Sequence, residues 1–410
     1  MTQANQRGGL FKVAAKSPFG LICGALAALA LAAPQARADD AAPEAKAAPL
    51  HVSFLYTADA LSVVSGGERR GTDYVGAALV SADADLEQMV GWKGGSAHVD
   101  LWQNFGGEPS ARAGSMLGLD GNEADGRRLR MPQLWVQQAF AGGRASVLAG
   151  FYDTESEFNA AESASLLVGA ASGSSPEWAE SGSGGPSAFP ETALAVRLRV
   201  QPNDKTYAIL AVANAKAGAV GDPGGPDFKF REGVLVMAEA GYTGSGKLAL
   251  GLWRYSKSRP DIRDLDEAGD PQLHTSQGAY VVVERPLNAP EDEVRKATAF
   301  LKLGISEAST TPYSGSVNAG VLVEHVFKSR PDSGLSFGLS HGRLTGKVRA
   351  NGADEEMEIG SGETTFELTY ADRLSAHLKV QPDLQWIHRP SGERAIPDAF
   401  VVGVRFNVEF

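Results

Sequence analysis

The segment AFVVGVRFNVEF, residues 399–410, decides the fold because apolar residues occupy every second position along it. One face carries an unbroken apolar series, Phe400, Val402, Val404, Phe406, Val408 and Phe410. The opposite face includes Arg405, Asn407 and Glu409. Strict period-two alternation predicts a β-strand with one apolar and one polar face. The apolar face must then be covered by something other than water.

The same alternation recurs from residue 51 onwards. In the segment LAVRLRV, for example, Leu198 and Val200 lie on the face opposite Arg197 and Arg199. We predict sixteen strands, at 51–64, 73–92, 95–105, 130–141, 144–153, 192–201, 206–214, 232–242, 247–256, 277–286, 297–306, 316–327, 334–343, 363–371, 374–388 and 398–410. The sequence therefore indicates an all-β domain over residues 51–410, preceded by a short lead, 39–50.

The connections between these strands alternate in length. Short turns such as KGG (93–95) and GSG (244–246) alternate with long segments such as 106–128, 154–191 and 256–276. Because the long segments follow odd-numbered strands, they all belong to one side of the sheet. Outer-membrane barrels are built in this way, with short periplasmic turns and long extracellular loops.

We therefore predict a transmembrane antiparallel up-and-down β-barrel of about sixteen strands, short periplasmic turns and long extracellular loops. Closure removes the sheet edges, and lipid covers the apolar outer face. A secreted β-sandwich, such as a lectin or a hydrolase, is the alternative because sandwich strands also alternate. A sandwich does not require one-sided loop lengths or an apolar face on every strand.

The first 38 residues are predicted to be a cleavable signal peptide. Three basic residues precede the apolar stretch 19–33, and ARAD (36–39) offers a cleavage site after Ala38. An uncleaved anchor is the alternative, but this stretch is shorter than the roughly 20 residues of a membrane-spanning helix. Cys23, the single cysteine, lies in this segment, so the mature chain is expected to lack disulfides and thiolate sites. We expect export to the outer membrane of a Gram-negative bacterium.

Charge and motifs argue against several classes of function. Removal of residues 1–38 leaves 34 basic and 49 acidic residues, a net charge of −15, which disfavours a nucleic-acid partner. The phosphate-loop pattern at 241–247 is followed by Leu248 instead of the required Ser or Thr. No Ser-His-Asp set, carboxylate pair or metal-site histidine spacing can be recognised. We expect no enzyme, no catalytic residue, no metal and no cofactor.

The polar strand positions give the candidate site. Charged residues between lipid-facing ones must face the lumen, because Arg or Lys at mid-membrane costs about 2–4 kcal/mol. The candidate pore-lining strand residues are Asp85, Glu87, Asp100, Trp102, Trp135, Arg197, Arg199, Glu239, Lys379, Gln381, Asp383, Gln385 and Arg405. Mixed charges and amides complement sugar hydroxyls, and tryptophan faces pack against a sugar ring. For each residue the alternative is cross-pairing within a generic hydrated pore.

The segment 154–191 is long and rich in small residues, and we expect it to fold into the barrel and narrow it. It would bring Glu155, Glu157 and Phe158 to the constriction, together with Trp178. A pore must release its solute, which favours several modest contacts over one tight site.

Several blocks resemble a known family. The segments LWVQQAF (134–140), VLAGFYDTESEFNAAE (147–162) and ETTFELTYADRLSAHLKVQPDLQWIHRPSGERAIPDAFVVGVRFNVEF (363–410) are similar to the carbohydrate-selective porins of the OprB type. The resemblance extends over residues 53–410 and is strongest in the C-terminal block. It implies a sixteen-stranded outer-membrane barrel that passes mono- or small oligosaccharides by diffusion.

A general diffusion porin for small hydrophilic solutes is the alternative within the same architecture. As partners we expect sugars, outer-membrane lipid and lipopolysaccharide, and the barrel-assembly machinery, which would recognise the last strand with Phe410. We expect a monomer.

Overall fold

A computed structural model of the chain describes residues 48–124, 126–288 and 296–410. The predicted signal peptide, 1–38, and most of the predicted lead, 39–50, lie outside the described residues. The compact unit Ala48–Glu409 contains the strands and helices of the described residues. In the described part of the chain, every helix is too short or too polar to cross a membrane.

Sixteen antiparallel strands of the described residues form one closed barrel, in which each strand pairs with its neighbours in sequence and β1 pairs with β16. The strands are β1 (Leu50–Ser65), β2 (Gly71–Asp85), β3 (Gly95–Gly106), β4 (Leu129–Phe140), β5 (Ala145–Tyr152), β6 (Ala193–Asn203), β7 (Thr206–Asn214), β8 (Val234–Tyr242), β9 (Lys247–Leu265), β10 (Pro271–Pro286), β11 (Lys296–Ser306), β12 (Tyr313–Glu324), β13 (Gly334–Leu344), β14 (Gly362–Ser375), β15 (Leu378–His388) and β16 (Ala399–Glu409). The predicted barrel is confirmed, and a sandwich of two sheets is excluded.

Five short α-helices lie in the connections of the described chain. They are α1 (Leu86–Val90), α2 (Pro109–Ala113), α3 (Ala170–Gly173), α4 (Pro176–Ala179) and α5 (Gly346–Asp354). Single 3₁₀ turns occupy Ala141–Gly143, Thr154–Ser156, Glu162–Ala164 and Pro390–Gly392. The two longest connections, loop L2 (residues 107–128) and loop L3 (residues 153–192), follow odd-numbered strands, as predicted.

The alternation of β16 has the predicted consequence. Ala399 and Val401 are fully buried on the inward side, whereas Phe400, Val402 and Phe406 are about 40 % exposed on the outward side. The outer face of the barrel is therefore the apolar one, as lipid contact requires.

The prediction that β2 continues to residue 92 is wrong. Asp85 ends the strand because its side chain accepts a hydrogen bond from the Gln88 backbone N–H (3.1 Å) and so caps α1. Gly91, with φ of 75°, ends that helix in the left-handed region. Glu87 consequently lies on α1 at the short-turn rim, not in the barrel wall.

The prediction of a long loop between β9 and β10 is also wrong. The two strands continue pairing through Ser258↔Thr275 and Arg259↔His274 up to Leu265↔Pro271. Only residues 266–270 form the turn, which Asp266 closes by accepting hydrogen bonds from the backbone N–H groups of Ala268 and Asp270. The acidic segment therefore belongs to a β-hairpin that continues beyond the residues pairing with β8 and β11.

Candidate functional site in the barrel lumen

Apart from Glu87, which lies on α1, the predicted polar strand residues lie on the inward side of the wall. In β6, Arg197 is buried while its neighbour Val196 is 53 % exposed on the outer side. In β15, Gln381, Asp383 and Gln385 alternate in the same way with the exposed Leu384 and Trp386. This orientation follows from the pleat, which sends successive side chains to opposite faces.

Loop L3 lies within the barrel and is held there by carboxylates of the wall. Glu239 on β8 accepts a hydrogen bond from the Asn159 N–H (3.0 Å). Glu284 on β10 accepts one from the Ser163 N–H (2.7 Å). Glu367 on β14 accepts two, from the Val168 N–H (2.5 Å) and the Gly169 N–H (3.0 Å). The loop therefore crosses the lumen from β5 to β14.

Two wall donors complete this attachment. Lys302 on β11, which is fully buried, donates from Nζ to the Gly173 carbonyl (2.7 Å). Gln381 donates from Nε2 to the Leu166 carbonyl (2.6 Å). Because these residues bond to the loop, they hold the loop in place and are not free to contact a solute.

The aromatic residues of L3 face the wall. Phe158 is 1 % exposed and Trp178 is fully buried. The Trp178 ring packs edge-on against Trp253 at 5.7 Å and against Tyr280 at 6.2 Å. Phe158 and Trp178 therefore anchor the loop and do not line the pore, so the prediction that they reach the constriction is wrong. Burial of these rings stabilises the loop because it removes apolar surface from water.

Trp102 is likewise covered. It is 2 % exposed, it packs edge-on against Phe189 of L3 at 5.4 Å, and the Arg130 guanidinium lies 5.5 Å from its ring. The expectation that its face meets a sugar is not met in this structure, because L3 occupies that side of β3.

Trp135 keeps an accessible position. Its ring stacks on His98 with centroids 5.1 Å apart and an interplanar angle of 17°. His98 lies between Asp83 (2.7 Å) and Asp100 (3.0 Å). Asp100 also accepts a hydrogen bond from Gln133 (2.8 Å). The result is a flat aromatic surface with a polar edge on the wall formed by β2, β3 and β4.

Glu157 of L3 joins the two predicted arginines of β6. Its carboxylate lies 2.7 Å from Arg197 Nε and 3.0 Å from Arg199 Nη1, and it accepts a hydrogen bond from the Tyr152 hydroxyl. Arg199 keeps 31 % of its side chain exposed and lies 4.9 Å from the centre of the Tyr207 ring. Two cations thus share one carboxylate, and part of the Arg199 side chain stays accessible.

A second charged cluster lies on the wall formed by β1 and β16. Arg405 forms two hydrogen bonds with Asp59 on β1 (2.7 and 3.0 Å) and one with Asp120 of loop L2 (2.7 Å). Here one cation is shared by two carboxylates. Asp59 and Asp120 were not among the predicted residues.

Glu155 is placed within L3, where it accepts a hydrogen bond from the Ser174 hydroxyl. Burial raises the pKa of Asp153 to about 7, and the negative charge of Glu155 adds to this effect. Burial also raises the pKa of Glu155 and of Glu177. The charge of L3 is therefore smaller at neutral pH than its sequence indicates.

Three cavities lie at the short-turn side of the barrel, and L3 borders the first and the third of them. One of about 410 Å³ is lined by Glu157, Arg199, Tyr207 and Lys247. Another of about 490 Å³ is lined by Asp85, Glu87 and Trp135. A third of about 340 Å³ includes Lys379. Volumes of about 300–1,000 Å³ are typical of small-molecule sites.

The remaining predicted residues line none of these three cavities. Asp383 and Gln385 are buried and hydrogen-bonded to each other (2.9 Å). Phe410 directly follows β16, and its ring is exposed. In the part of the chain that the structure describes, no group of three His, Cys, Asp or Glu side chains is arranged to hold a metal ion.

Lys302 and Asp120 were not predicted from the sequence, and only Lys302 lies in a recognisable pattern. Lys302 occupies an inward position of an alternating strand, so the same pattern that identified Arg197 applies to it. Asp120 lies in a loop without periodicity, and no local pattern marks it. Its role depends on Arg405, which is 285 residues away.

Comparison with known proteins gives consistent results. The carbohydrate-selective porin, OprB family, matches residues 69–410. Porin B of Pseudomonas aeruginosa is 22 % identical over 399 residues, covering 87 % of this chain and 86 % of that protein. The high-pH structure of Pseudomonas putida OprB superposes with a TM-score of 0.78 at 18 % identity, covering 88 % of this chain and 94 % of that one. Salmonella typhi OmpF has a TM-score of 0.55 at 10 % identity, covering 88 % and 97 %.

Proposed function

Because this chain belongs to the carbohydrate-selective porin family, OprB, we propose that it carries mono- or small oligosaccharides across the outer membrane by passive diffusion. Membership of a porin family makes the protein a channel of the Gram-negative outer membrane.

The observation that carries the proposal is the composition of the accessible lumen. Arg199 and Glu157 supply fixed donors and acceptors on one wall, and Trp135 stacked on His98 supplies a flat ring on another. Sugar hydroxyls both donate and accept, while the C–H face of the ring packs on aromatic surfaces. Weak contacts at several places permit both entry and release.

We extend the proposal to the surroundings of the barrel. Residues 1–38 direct export and are removed, the barrel-assembly machinery recognises the last strand with Phe410, and the protein acts as a monomer among outer-membrane lipid and lipopolysaccharide. The apolar outer face supports contact with lipid, since Leu250 and Leu252 on β9 are 60 % and 57 % exposed there.

The test is single-channel conductance of the refolded mature chain in a planar bilayer, titrated with glucose, maltose and other disaccharides. Saturable block of the current by sugars is the expected result. Steady current that sugars do not affect would identify a general diffusion porin instead. Absence of channels from a folded barrel would contradict the proposal as a whole.

A further inference from the structure

The connection between β7 and β8, loop L4 (residues 215–233), is fastened to β4, which lies three strands away in the barrel. Val220 of L4 forms an antiparallel bridge with Met131 of β4, whose N–H donates to the Val220 carbonyl (2.9 Å). Next to this bridge, Arg130 is fully buried and its Nε lies 2.6 Å from the Asp222 carboxylate of L4. L4 therefore crosses the ends of β5 and β6 on the long-loop side of the barrel.

A second part of L4 covers the outer wall. Phe151 of β5 pairs with Leu134 of β4, which is 46 % exposed on the outer side, and directly opposed strand residues share a face. Phe151 is nevertheless only 7 % exposed, because the Phe228 ring of L4 packs edge-on against it at 6.0 Å. Phe228 therefore lies outside the barrel wall, on the lipid side, where 64 % of it remains exposed.

The segment DFKFR (residues 227–231), here called the L4 tip, is held in a fixed turn. The Asp227 carboxylate accepts hydrogen bonds from the Lys229 N–H and the Arg231 N–H, both at 2.9 Å. Between them, Phe230 has a φ of 50°, in the left-handed region that bulky residues avoid. Backbone outliers of this kind concentrate at functional sites. The turn thus presents two aromatic and two basic side chains in alternation.

The L4 tip carries a local excess of positive charge, although the protein as a whole is acidic. Lys229 and Arg231 are exposed, and the hydrogen bonds and ion pairs among the described residues include neither the Lys229 ammonium nor the Arg231 guanidinium. Lys257 of β9 adds a third cation, because its Nζ donates to the Arg231 carbonyl (2.7 Å). Glu232, the next residue of L4, is already paired with Arg259 (2.6 Å).

The L4 tip lies at the extracellular border of the lipid-facing wall. In outer-membrane barrels the long connections are extracellular. Towards the short turns from Phe151, Val196 of β6 and Val212 of β7 continue the apolar outer wall and are 53 % and 40 % exposed. Aromatic side chains favour the depth at which this wall meets the headgroups, and lysine and arginine there attract anionic lipid. The position and the charge of the tip therefore both match a phosphorylated lipid of the outer leaflet.

We propose that the L4 tip, together with Lys257, is a binding site for the phosphate groups of lipopolysaccharide. Lys229, Arg231 and Lys257 bind the phosphates through charge-assisted hydrogen bonds, and Phe228 lies against the apolar part of the lipid. Three cations match a lipid with several phosphates better than a phospholipid with one. The inference deepens the proposed contact with lipopolysaccharide. It rests on the outer-membrane location, so it can be tested independently of sugar passage.

The test measures binding of deep-rough lipopolysaccharide, and of phosphatidylglycerol for comparison, to the mature chain refolded in detergent, by native mass spectrometry. The variants are the double substitution Lys229→Gln/Arg231→Gln and the single substitution Phe228→Ala. The matched control, Arg144→Gln/Lys205→Gln, removes the same charge from exposed positions at the short-turn rim. Heat-modifiable gel migration first establishes that each variant contains a folded barrel.

We expect the double variant to raise the dissociation constant for lipopolysaccharide by about tenfold, because two cations near an anionic lipid are lost. Phe228→Ala should raise it several-fold, and the control should match the wild type. Wild-type affinity in the double variant, an equal loss in the control, or equal binding of phosphatidylglycerol would overturn the inference. If the double variant does not fold, Phe228→Ala decides. Channel current that sugars do not affect would contradict the proposed sugar transport and leave this inference unchanged.

Discussion

At the scale of single residues, two groups of charged side chains on the inward side of the barrel are already partnered. Glu157 is shared by Arg197 and Arg199, and Arg405 is shared by Asp59 and Asp120. Partnered charges offer directed donors and acceptors with a small net field. Such a lining suits a neutral solute rich in hydroxyl groups better than it suits an ion.

Substitution of Arg199 by Gln is expected to weaken block of the channel by sugar. The change removes the donors that Arg199 has left after binding Glu157, and a hydrogen bond to a charged group is worth about 1.5–3 kcal/mol. Because sugar contacts are shared among several groups, we expect the dissociation constant from current block to rise by about tenfold, or about 1.4 kcal/mol. Arg254→Gln, on the exposed outer side of β9, is the control. Equal affinity in both variants would remove Arg199 from the site.

Substitution of Trp135 by Ala tests the stacking surface. An aromatic pair contributes about 0.5–1.5 kcal/mol beyond burial, and a sugar ring on Trp135 should lose a similar amount. We expect several-fold weaker block by pyranose sugars, with little change for a linear polyol of the same size. Trp386→Ala is the matched control, because Trp386 stacks on Phe366 at 5.3 Å on the outer face. An identical loss for the linear polyol would indicate a steric effect instead of stacking.

At the scale of elements, L3 is stabilised by carboxylates that replace the missing partners of its backbone N–H groups. An irregular loop inside a barrel must satisfy its polar groups with the wall, since water cannot reach all of them. The cost of leaving one such group unpaired is about 1–3 kcal/mol. The wall acids are therefore structural in role even though they face the lumen.

Glu239→Gln should loosen L3 without opening the barrel. Glu239 accepts hydrogen bonds from the Tyr207 hydroxyl (2.6 Å), the Tyr280 hydroxyl (2.7 Å) and the Asn159 N–H (3.0 Å). The Gln amide nitrogen cannot accept, so a donor loses its partner at a cost of about 1–3 kcal/mol. We expect faster proteolysis within 153–192 and unchanged heat-modifiable migration. Glu267→Gln in the exposed turn after β9 is the control, and equal proteolysis of the two variants would contradict this role.

The titration of Asp153 predicts a change of ion preference near neutral pH. In the folded loop its pKa is about 7, whereas an unperturbed Asp ionises at about 3.9. The fold therefore favours the protonated form, and the stability that this group contributes is present at low pH and is lost as pH rises from about 4 to about 7. Above that range L3 gains a negative charge.

Cation preference, measured as the reversal potential in a salt gradient, should consequently increase between pH 5.5 and pH 8.5, which bracket the pKa of about 7. Asp153→Asn should remove most of this change. Asp204→Asn, at an exposed turn with 94 % of the side chain accessible, should leave it intact. A pH response that survives in Asp153→Asn would assign it to another group.

At the scale of the whole molecule, closure depends on the seam between the first and last strands. β1 pairs with β16 from Leu55↔Glu409 to Ser65↔Phe400. Without this seam both strands would expose unpaired backbone groups to lipid, at several kcal/mol each. We expect deletion of residues 399–410 to abolish the heat-modifiable band and all channel activity.

Phe410→Ala separates closure from assembly, because the paired residues of the seam end at Glu409. This variant should refold in detergent like the wild type and give normal channels. In cells it should reach the outer membrane in a smaller amount if the assembly machinery recognises Phe410. Failure to refold in detergent would show that Phe410 is needed for the barrel itself.

The sequence by itself determined the strands, their number, their inward and outward faces and the side of the long loops. These features follow from the period-two pattern and from turn residues, which act over a few positions. Prediction of strand ends from the sequence was wrong at β2 and β9. A helix cap at Asp85 ends β2, and continued pairing of polar residues with β10 lengthens β9.

Only the tertiary structure decided which inward residues remain accessible. Gln381 and Glu239 satisfy every sequence criterion for a pore lining, yet L3 covers them, while Arg199 and Trp135 stay open. Likewise, Asp120 meets Arg405 only because L2 descends into the closed barrel. The physical reason is range: the face of a strand residue is set by its immediate neighbours, whereas the burial of a loop is set by contacts across 100 to 300 residues that exist only after closure.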